Sequence, residues 1–190
     1  MKAAKTPQIT KQTRLLCFDV ETNGLHGQAF AVGAVVIDVG GKTHDEFTAR
    51  IKIDGLVDSW VENNVMPVIS DMQISHGSYK DMCDSFWKWF VDAQRESDYT
   101  LVSNGYPVEY RFLLDCQGAD IESRYWEHPF PLIDLPSLLL GLGQLSETTK
   151  GKLAAEATKN EVFSAHHPLH DAKATALTAI EAFRQAGLIN

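Results

Sequence analysis

The chain has 190 residues, of which 44% are hydrophobic and 22% are charged, as in an ordinary globular domain. Its 25 acidic and 17 basic side chains give a formal net charge of −8, which argues against a broad basic surface for holding nucleic acid. No stretch is apolar enough to span a membrane, and the first residues lack the apolar centre of a secretory signal, so we expect a cytoplasmic protein without membrane contact.

The first part of the chain predicts an arm followed by three strands. Residues 1–13 are polar and show no periodicity, so we expect them to form a flexible arm. The apolar run formed by Leu15, Leu16, Cys17, Phe18 and Val20 is typical of a strand that is buried on both faces. Two further strand-like runs, 29–39 and 42–53, are joined by Gly40-Gly41, and this pattern predicts a β-hairpin.

The rest of the chain predicts helices that alternate with two more strands. The predicted helices are 60–65, 78–96, 107–118, 136–143, 152–159 and 168–186, and the predicted strands are 100–103 and 131–135. There is no internal repeat and no linker to a second domain, so we expect residues 14–190 to form a single domain. This order of elements indicates an α/β fold in which helices cover a mixed five-stranded sheet.

The three cysteines predict reduced thiols. Cys17, Cys83 and Cys116 are odd in number and widely spaced, which argues against a disulfide framework and against a cysteine-rich zinc site.

The acidic net charge does not exclude a nuclease, because part of the negative charge could belong to a metal-binding cluster whose ions attract phosphate.

A pair of carboxylates ends the first predicted strand. Asp19 and Glu21 point to the same face because side chains alternate along a strand. Buried like charges repel, so such a pair either shares a proton or binds a cation, and Mg²⁺ or Mn²⁺ suits oxygen ligands. Taken alone, however, D-x-E followed by Asn23-Gly24 also fits an ordinary turn.

Two later positions could complete a metal centre. Glu109 lies in the first turn of a predicted helix, and the alternative role of an acid there is to stabilise the helix dipole. Asp171 lies in the first turn of the last helix and His166 in the loop before it, which places a titratable base beside a carboxylate. A zinc site of His166 and His170 is disfavoured, because Pro168 prevents one regular helix from running through both.

Four segments stand out by their order and spacing: FDVETNGL, AVGAVVID, LVSNGYPVEYRFLL and HHPLHDAKATA. They resemble the exonuclease motifs of the DnaQ-like 3′→5′ exonucleases, in their histidine-containing DEDDh subclass, and the resemblance extends roughly over residues 14–185. It implies a ribonuclease-H-like fold, in which helices flank a central mixed sheet.

The resemblance also implies a role for each matching residue. Asp19 would bridge two Mg²⁺ or Mn²⁺ ions, and Glu21 and Asp171 would hold the ion that activates a water. Glu109 matches the acid of the second motif, and His166 would take the proton from the water. The implied reaction releases nucleoside 5′-monophosphates from the free 3′ end of DNA or RNA.

The resemblance further implies a substrate-binding segment. Thr22, Asn23, Gly24 and Leu25 match the residues that line the terminal nucleotide, with Leu25 packing on its base. Asn104, in the second motif, is assigned to substrate binding as well.

The second motif departs from the family pattern. It usually supplies Asp, often after His-Asn, whereas this chain has Ser103-Asn104 and Glu109, with a spacing closest to that of the TREX-like repair exonucleases. Glu is one methylene longer and can still reach a metal directly or through water, so we expect activity with an altered metal preference. Asp115 is the alternative acid, although it lies about two helical turns from the strand end.

Three functional hypotheses follow. The leading one is a metal-dependent 3′→5′ exonuclease; the others are a catalytically weakened nucleic-acid-binding or scaffold domain of the same fold, and a hydrolase of small nucleotides. The preference between DNA and RNA cannot be predicted without a contact to the 2′-OH. Trp60, Tyr106 and Tyr125 are either base-stacking or core and rim residues. A homodimer is a further possibility, because many relatives are dimeric.

Overall fold

The computed structural model describes residues 9–127, 131–144, 147–159 and 163–189. The strands are β1 (Arg14–Thr22), β2 (Ala29–Asp38), β3 (Thr43–Arg50), β4 (Tyr99–Val102) and β5 (Leu132–Asp134). The helices are α1 (Ser59–Asn64), α2 (Tyr79–Arg95), α3 (Tyr110–Gly118), α4 (Ile121–Arg124), α5 (Leu135–Gly141), α6 (Glu147–Thr158) and α7 (Pro168–Gln185). A kinked helical turn, Gly105–Glu109, leads into α3.

The five strands form one mixed sheet in the order β3-β2-β1-β4-β5. β2 is antiparallel to both β1 and β3, whereas β4 is parallel to β1 and to β5. The predicted mixed five-stranded sheet covered by helices is therefore confirmed. The predicted hairpin joins β2 and β3, and the Asp38 carboxylate accepts hydrogen bonds from the backbone N–H groups of Gly40 and Lys42 in its turn.

The central strand β1 separates two hydrophobic cores. Its even-numbered residues, such as Phe18, pack with α2 and α3, where Phe18 contacts the ring of Phe86 at a centroid distance of 5.5 Å. Its odd-numbered residues Leu15 and Cys17 pack against α5, α6 and α7. Because side chains alternate along a strand, Asp19 continues the row that faces α7.

Helix α7 lies unusually close to the sheet at its first turn. Gly33 in β2 pairs with Asp19 across the β1–β2 ladder. A Cβ atom at Gly33 would lie 2.1 Å from the backbone nitrogen of Leu169, so no larger residue fits there without displacing the helix. Glycine in a strand interior often marks such a close approach of backbone. Because Gly33 has no side chain, the start of α7 can lie against β2 next to the end of β1.

The three cysteines and the first described residues pack into the fold. All three cysteines are buried and free, as predicted. The predicted flexible arm lies outside the described residues up to residue 8, while Ile9 packs against the α7 core and Thr13 is buried. Within the described residues, no helix is long and apolar enough to cross a membrane.

Candidate active site

The site begins at the carboxyl end of β1, where Asp19 and Glu21 share one face of the sheet. Each is only 9% exposed, so both carboxylates are largely removed from water. Their backbone positions are set by pairing with Gly33 and Ala31 of β2, two residues with little or no side chain. The strand therefore presents two adjacent buried carboxylates toward the start of α7.

Glu109 approaches these two acids from the turn between β4 and α3. Tyr106 within that turn has an extended backbone (φ −109°, ψ 138°), and the resulting kink precedes the helical residues at Glu109. Glu109 is 5% exposed, and burial raises its pKa to about 7. Its charge also raises the pKa of Asp19 and of Glu21, so the longer side chain reaches the same cluster.

Asp171 and His166 come from the amino end of α7. Pro168 occupies the first turn of the helix, and the Asp171 carboxylate accepts a hydrogen bond of 2.8 Å from the backbone N–H of His166. His166 adopts the left-handed conformation (φ 68°), which is strained for a residue other than glycine and recurs at functional sites. Ligand atoms of Glu21, His166 and Asp171 all lie within 4.8 Å of one another.

The electrostatics of the cluster favour a bound cation. Burial raises the pKa of Asp19 well above its usual range, and Asp171, Glu109 and Glu21 raise it further. Burial, followed by the charges of Asp171 and Glu109, raises the pKa of Glu21 to about 8. No ion pair with Lys or Arg is formed by these four carboxylates within the described part of the chain. Clustered oxygen ligands without a countercharge fit a hard divalent cation.

The two alternative ligands point to other partners. Asp115 on α3 accepts a hydrogen bond of 2.8 Å from the hydroxyl of Tyr79. The Nδ1 atom of His170 accepts a hydrogen bond of 3.1 Å from the backbone N–H of Ser164, and its ring stacks on that of His167 at 4.1 Å. Both side chains are therefore engaged in holding local structure.

A cavity of about 370 Å³ opens beside Glu21. The loop after β1, the start of α1 and the turn before α3 form its walls. Its lining residues are Val20, Glu21, Thr22, Gly24, Leu25, Asp58, Trp60, Val61 and Val108. Three of the four residues predicted to contact the terminal nucleotide thus border one cavity next to the acids. Leu25 is 63% exposed and Trp60 53%, so both apolar surfaces are accessible from solvent.

The other two predicted substrate residues are placed differently. The side-chain amide of Asn23 donates a hydrogen bond to Leu56 O at 3.0 Å and accepts one from the backbone N–H of Asp58 at 2.7 Å. It therefore ties the loop after β1 to the start of α1. Asn104 is exposed directly after β4, at the start of the turn that carries Glu109.

Two residues that shape the site were not predicted from the sequence. Gly33 admits α7 to the sheet, and a glycine inside a strand-like run was the available signal. Asp58 caps α1 by accepting hydrogen bonds from the backbone N–H groups of Trp60 and Val61, at 2.9 and 3.3 Å. An Asp directly before Ser59 is a common helix start, but nothing local indicated that this helix borders the acids.

The chain shares its fold with known nucleases. No known protein family and no curated protein matches its sequence. The nuclease domain of 3′hExo, a DEDDh family member, bound to rAMP, superposes with a TM-score of 0.66 at 14% identity, over 93% of this chain and 94% of that chain. A 3′-exonuclease described for 3′-end specific recognition of histone mRNA stem-loop gives 0.63 at 13% identity, over 93% and 84%.

These likenesses confirm the predicted ribonuclease-H-like fold and its resemblance to DEDDh exonuclease domains. At such low identities they establish the fold alone, and the TREX-like spacing of the second motif stays a prediction.

Proposed function

We propose that this protein is a metal-dependent 3′→5′ exonuclease of DNA or RNA. One observation carries the proposal: four carboxylates from three separate segments meet at the end of β1, beside a histidine and an open cavity. They are Asp19, Glu21, Glu109 and Asp171. A fold that merely needed acids for solubility would leave them exposed or pair them with cations.

In the proposed hydrolysis, the carboxylates and His166 have different roles. The four carboxylates would hold two divalent ions, which when bound stabilise charge on a phosphate and make a water more acidic. His166, whose ring nitrogen lies within 4.8 Å of carboxylate oxygens of Glu21 and Asp171, would accept the proton of the attacking water. The left-handed backbone at His166 and its hydrogen bond to Asp171 keep the imidazole at this edge of the cluster.

The cavity beside Glu21 supports action at a chain end. Leu25 and Trp60 offer apolar surfaces to a terminal nucleoside, while Thr22 and Gly24 border the same space. The product would be a nucleoside 5′-monophosphate. Because the two similar structures are described with rAMP and with an mRNA stem-loop, RNA is the first substrate to test, with DNA alongside.

The weakened-domain hypothesis depends on Glu109. The burial of Glu109 and its effect on the pKa values of Asp19 and Glu21 support a working ligand rather than a lost one. We therefore propose that Glu109 replaces the usual Asp. The cytoplasmic location, the arm over residues 1–13 and a homodimer stay predictions.

The test uses 5′-labelled single-stranded RNA, single-stranded DNA and duplex DNA of one sequence, with Mg²⁺, with Mn²⁺ and with EDTA. The variant is Asp19→Asn, and the matched control is Asp92→Asn, which removes an exposed acid on α2. We expect a ladder that shortens from the 3′ end, needs a metal, survives in the control and disappears in Asp19→Asn. If folded wild-type protein shortens none of the substrates with either metal, the exonuclease proposal is wrong and the binding-domain hypothesis takes its place.

A further inference from the structure

Trp60 is the aromatic neighbour of His166. The two rings meet edge to face, with centroids 5.1 Å apart and planes at 86°. Aromatic pairs favour this geometry because the positive edge of one ring faces the negative face of the other. His166 is only partly buried, and the hydrogen bond that holds it runs from its backbone rather than from its ring. Trp60 thus contacts one face or edge of the imidazole, while a ring nitrogen lies within 4.8 Å of carboxylate oxygens of Glu21 and Asp171.

Asn23 fixes the start of helix α1, which carries Trp60. Helix α1 has only six residues, so its own hydrogen bonds fix it poorly. Its start is instead clamped by the side-chain amide of Asn23, which bonds to the backbone on both sides of residue 57. Asp58 then caps the helix through the N–H of Trp60 itself. The contacts form a continuous chain from the end of β1 to the imidazole.

We propose that Asn23 and Trp60 are positioning residues that orient the imidazole of His166 for proton transfer. This inference rests on the proposed function and deepens it. It gives Asn23, which the sequence assigned to substrate contact, an action through α1 instead. It also gives Trp60 an effect on the reaction that is separate from any contact with the terminal base.

The first experiment separates these two effects of Trp60 by removing the base. The substrate is an oligonucleotide whose 3′-terminal nucleotide is abasic, compared with the intact oligonucleotide. On the abasic substrate we expect Trp60→Ala to lower kcat about tenfold with little change in KM, because a misplaced proton acceptor slows the step after binding. Trp60→Phe keeps an aromatic edge and should stay within about twofold of wild type.

The controls test whether the loss passes through His166. In a His166→Ala background, Trp60→Ala should change kcat by less than about twofold, since the two residues act as a unit. Asn23→Ala should lower kcat in the same direction as Trp60→Ala. Trp126→Ala is the matched control, because Trp126 is 87% exposed and also makes an edge-to-face pair, with Tyr125 at 4.9 Å. It should leave kcat unchanged.

A second readout does not depend on activity. Proton resonances of the His166 ring, assigned by their absence in His166→Ala, should carry a ring-current shift that is lost in Trp60→Ala and reduced in Asn23→Ala. Unshifted resonances would overturn the proposal, as would a Trp60→Ala loss confined to KM on base-containing substrates. If wild-type protein has no nuclease activity but the ring-current shift is present, the proposed function fails while the Trp60–His166 contact stands.

Discussion

The pKa values of acidic residues shift in opposite directions on helix α2 and at the end of β1. Asp84 on α2 lies among cations: hydrogen bonds from Lys80 and Arg124, at 2.6 and 2.7 Å, lower its pKa. Asp19 at the end of β1 has no such partner among the described residues, and burial raises its pKa well above the usual range. Charge is thus compensated where it serves the fold and left uncompensated where a metal could bind. This difference distinguishes the candidate site from the ion-paired acids on α2.

The largest effect is expected for Asp19→Asn. The variant should lose activity about a thousandfold or more, because it removes a buried carboxylate whose pKa is raised by all three of the other acids and which would hold a metal. It should also raise the free energy of unfolding of the metal-free protein by about 1–2 kcal/mol, since it removes mutual repulsion in a buried cluster. Denaturation in EDTA measures this change. A lower stability of the metal-free variant would contradict the inference that repulsion among the buried acids destabilises the folded protein.

Gly33→Ala tests how α7 reaches the acids. The added methyl would meet the backbone of Leu169 at 2.1 Å, so the first turn of α7 must move away from Asp19. We expect a loss of about 2–3 kcal/mol in stability and weaker metal binding, measured by denaturation and by titration calorimetry. Gly118→Ala on α3 is the control, because a Cβ there meets nothing within 4 Å. Equal behaviour of the two variants would show that the close approach is unimportant.

The pH dependence of stability should reverse between the regions. The folded-state pKa values of Glu21 and Glu109, about 8 and about 7, lie above the ordinary value of 4.5. Metal-free protein should therefore lose stability as pH rises from about 5 to 8, because ionisation is harder in the folded state. Mg²⁺ or Mn²⁺ should raise the melting temperature most near pH 8. The Glu21→Gln variant should show a flatter pH dependence, and an identical slope would refute this assignment.

The smallest effect is expected for Asp84→Asn. Its pKa is lowered in the folded protein, so its contribution to stability is present above the unfolded-state pKa and is lost as pH falls through the folded-state value. Because Lys80 is exposed and the more buried Arg124 keeps its hydrogen bond to Cys116 O, the loss at neutral pH should be within about 1 kcal/mol and should shrink in high salt. Denaturation with and without salt measures it, and activity should stay unchanged.

Much of the site was predictable because its signals are local. A two-residue alternation placed Asp19 and Glu21 on one face, and the structure shows both facing α7. Pro168 and the Ala-rich run after it predicted a helix whose first turn carries Asp171, as observed in α7. These predictions needed only neighbours in sequence, within one turn or one strand.

The tertiary structure decided which distant segments meet. Gly33 faces the backbone of Leu169, and Trp60 lies against His166, although no periodicity connects them. The amide of Asn23 illustrates the same limit, because its position in the motif gave no indication that its hydrogen bonds go to the start of α1. Local sequence determines strand faces and helix ends because these depend on adjacent backbone geometry. Contacts between remote segments depend on how whole elements pack, which no single segment encodes.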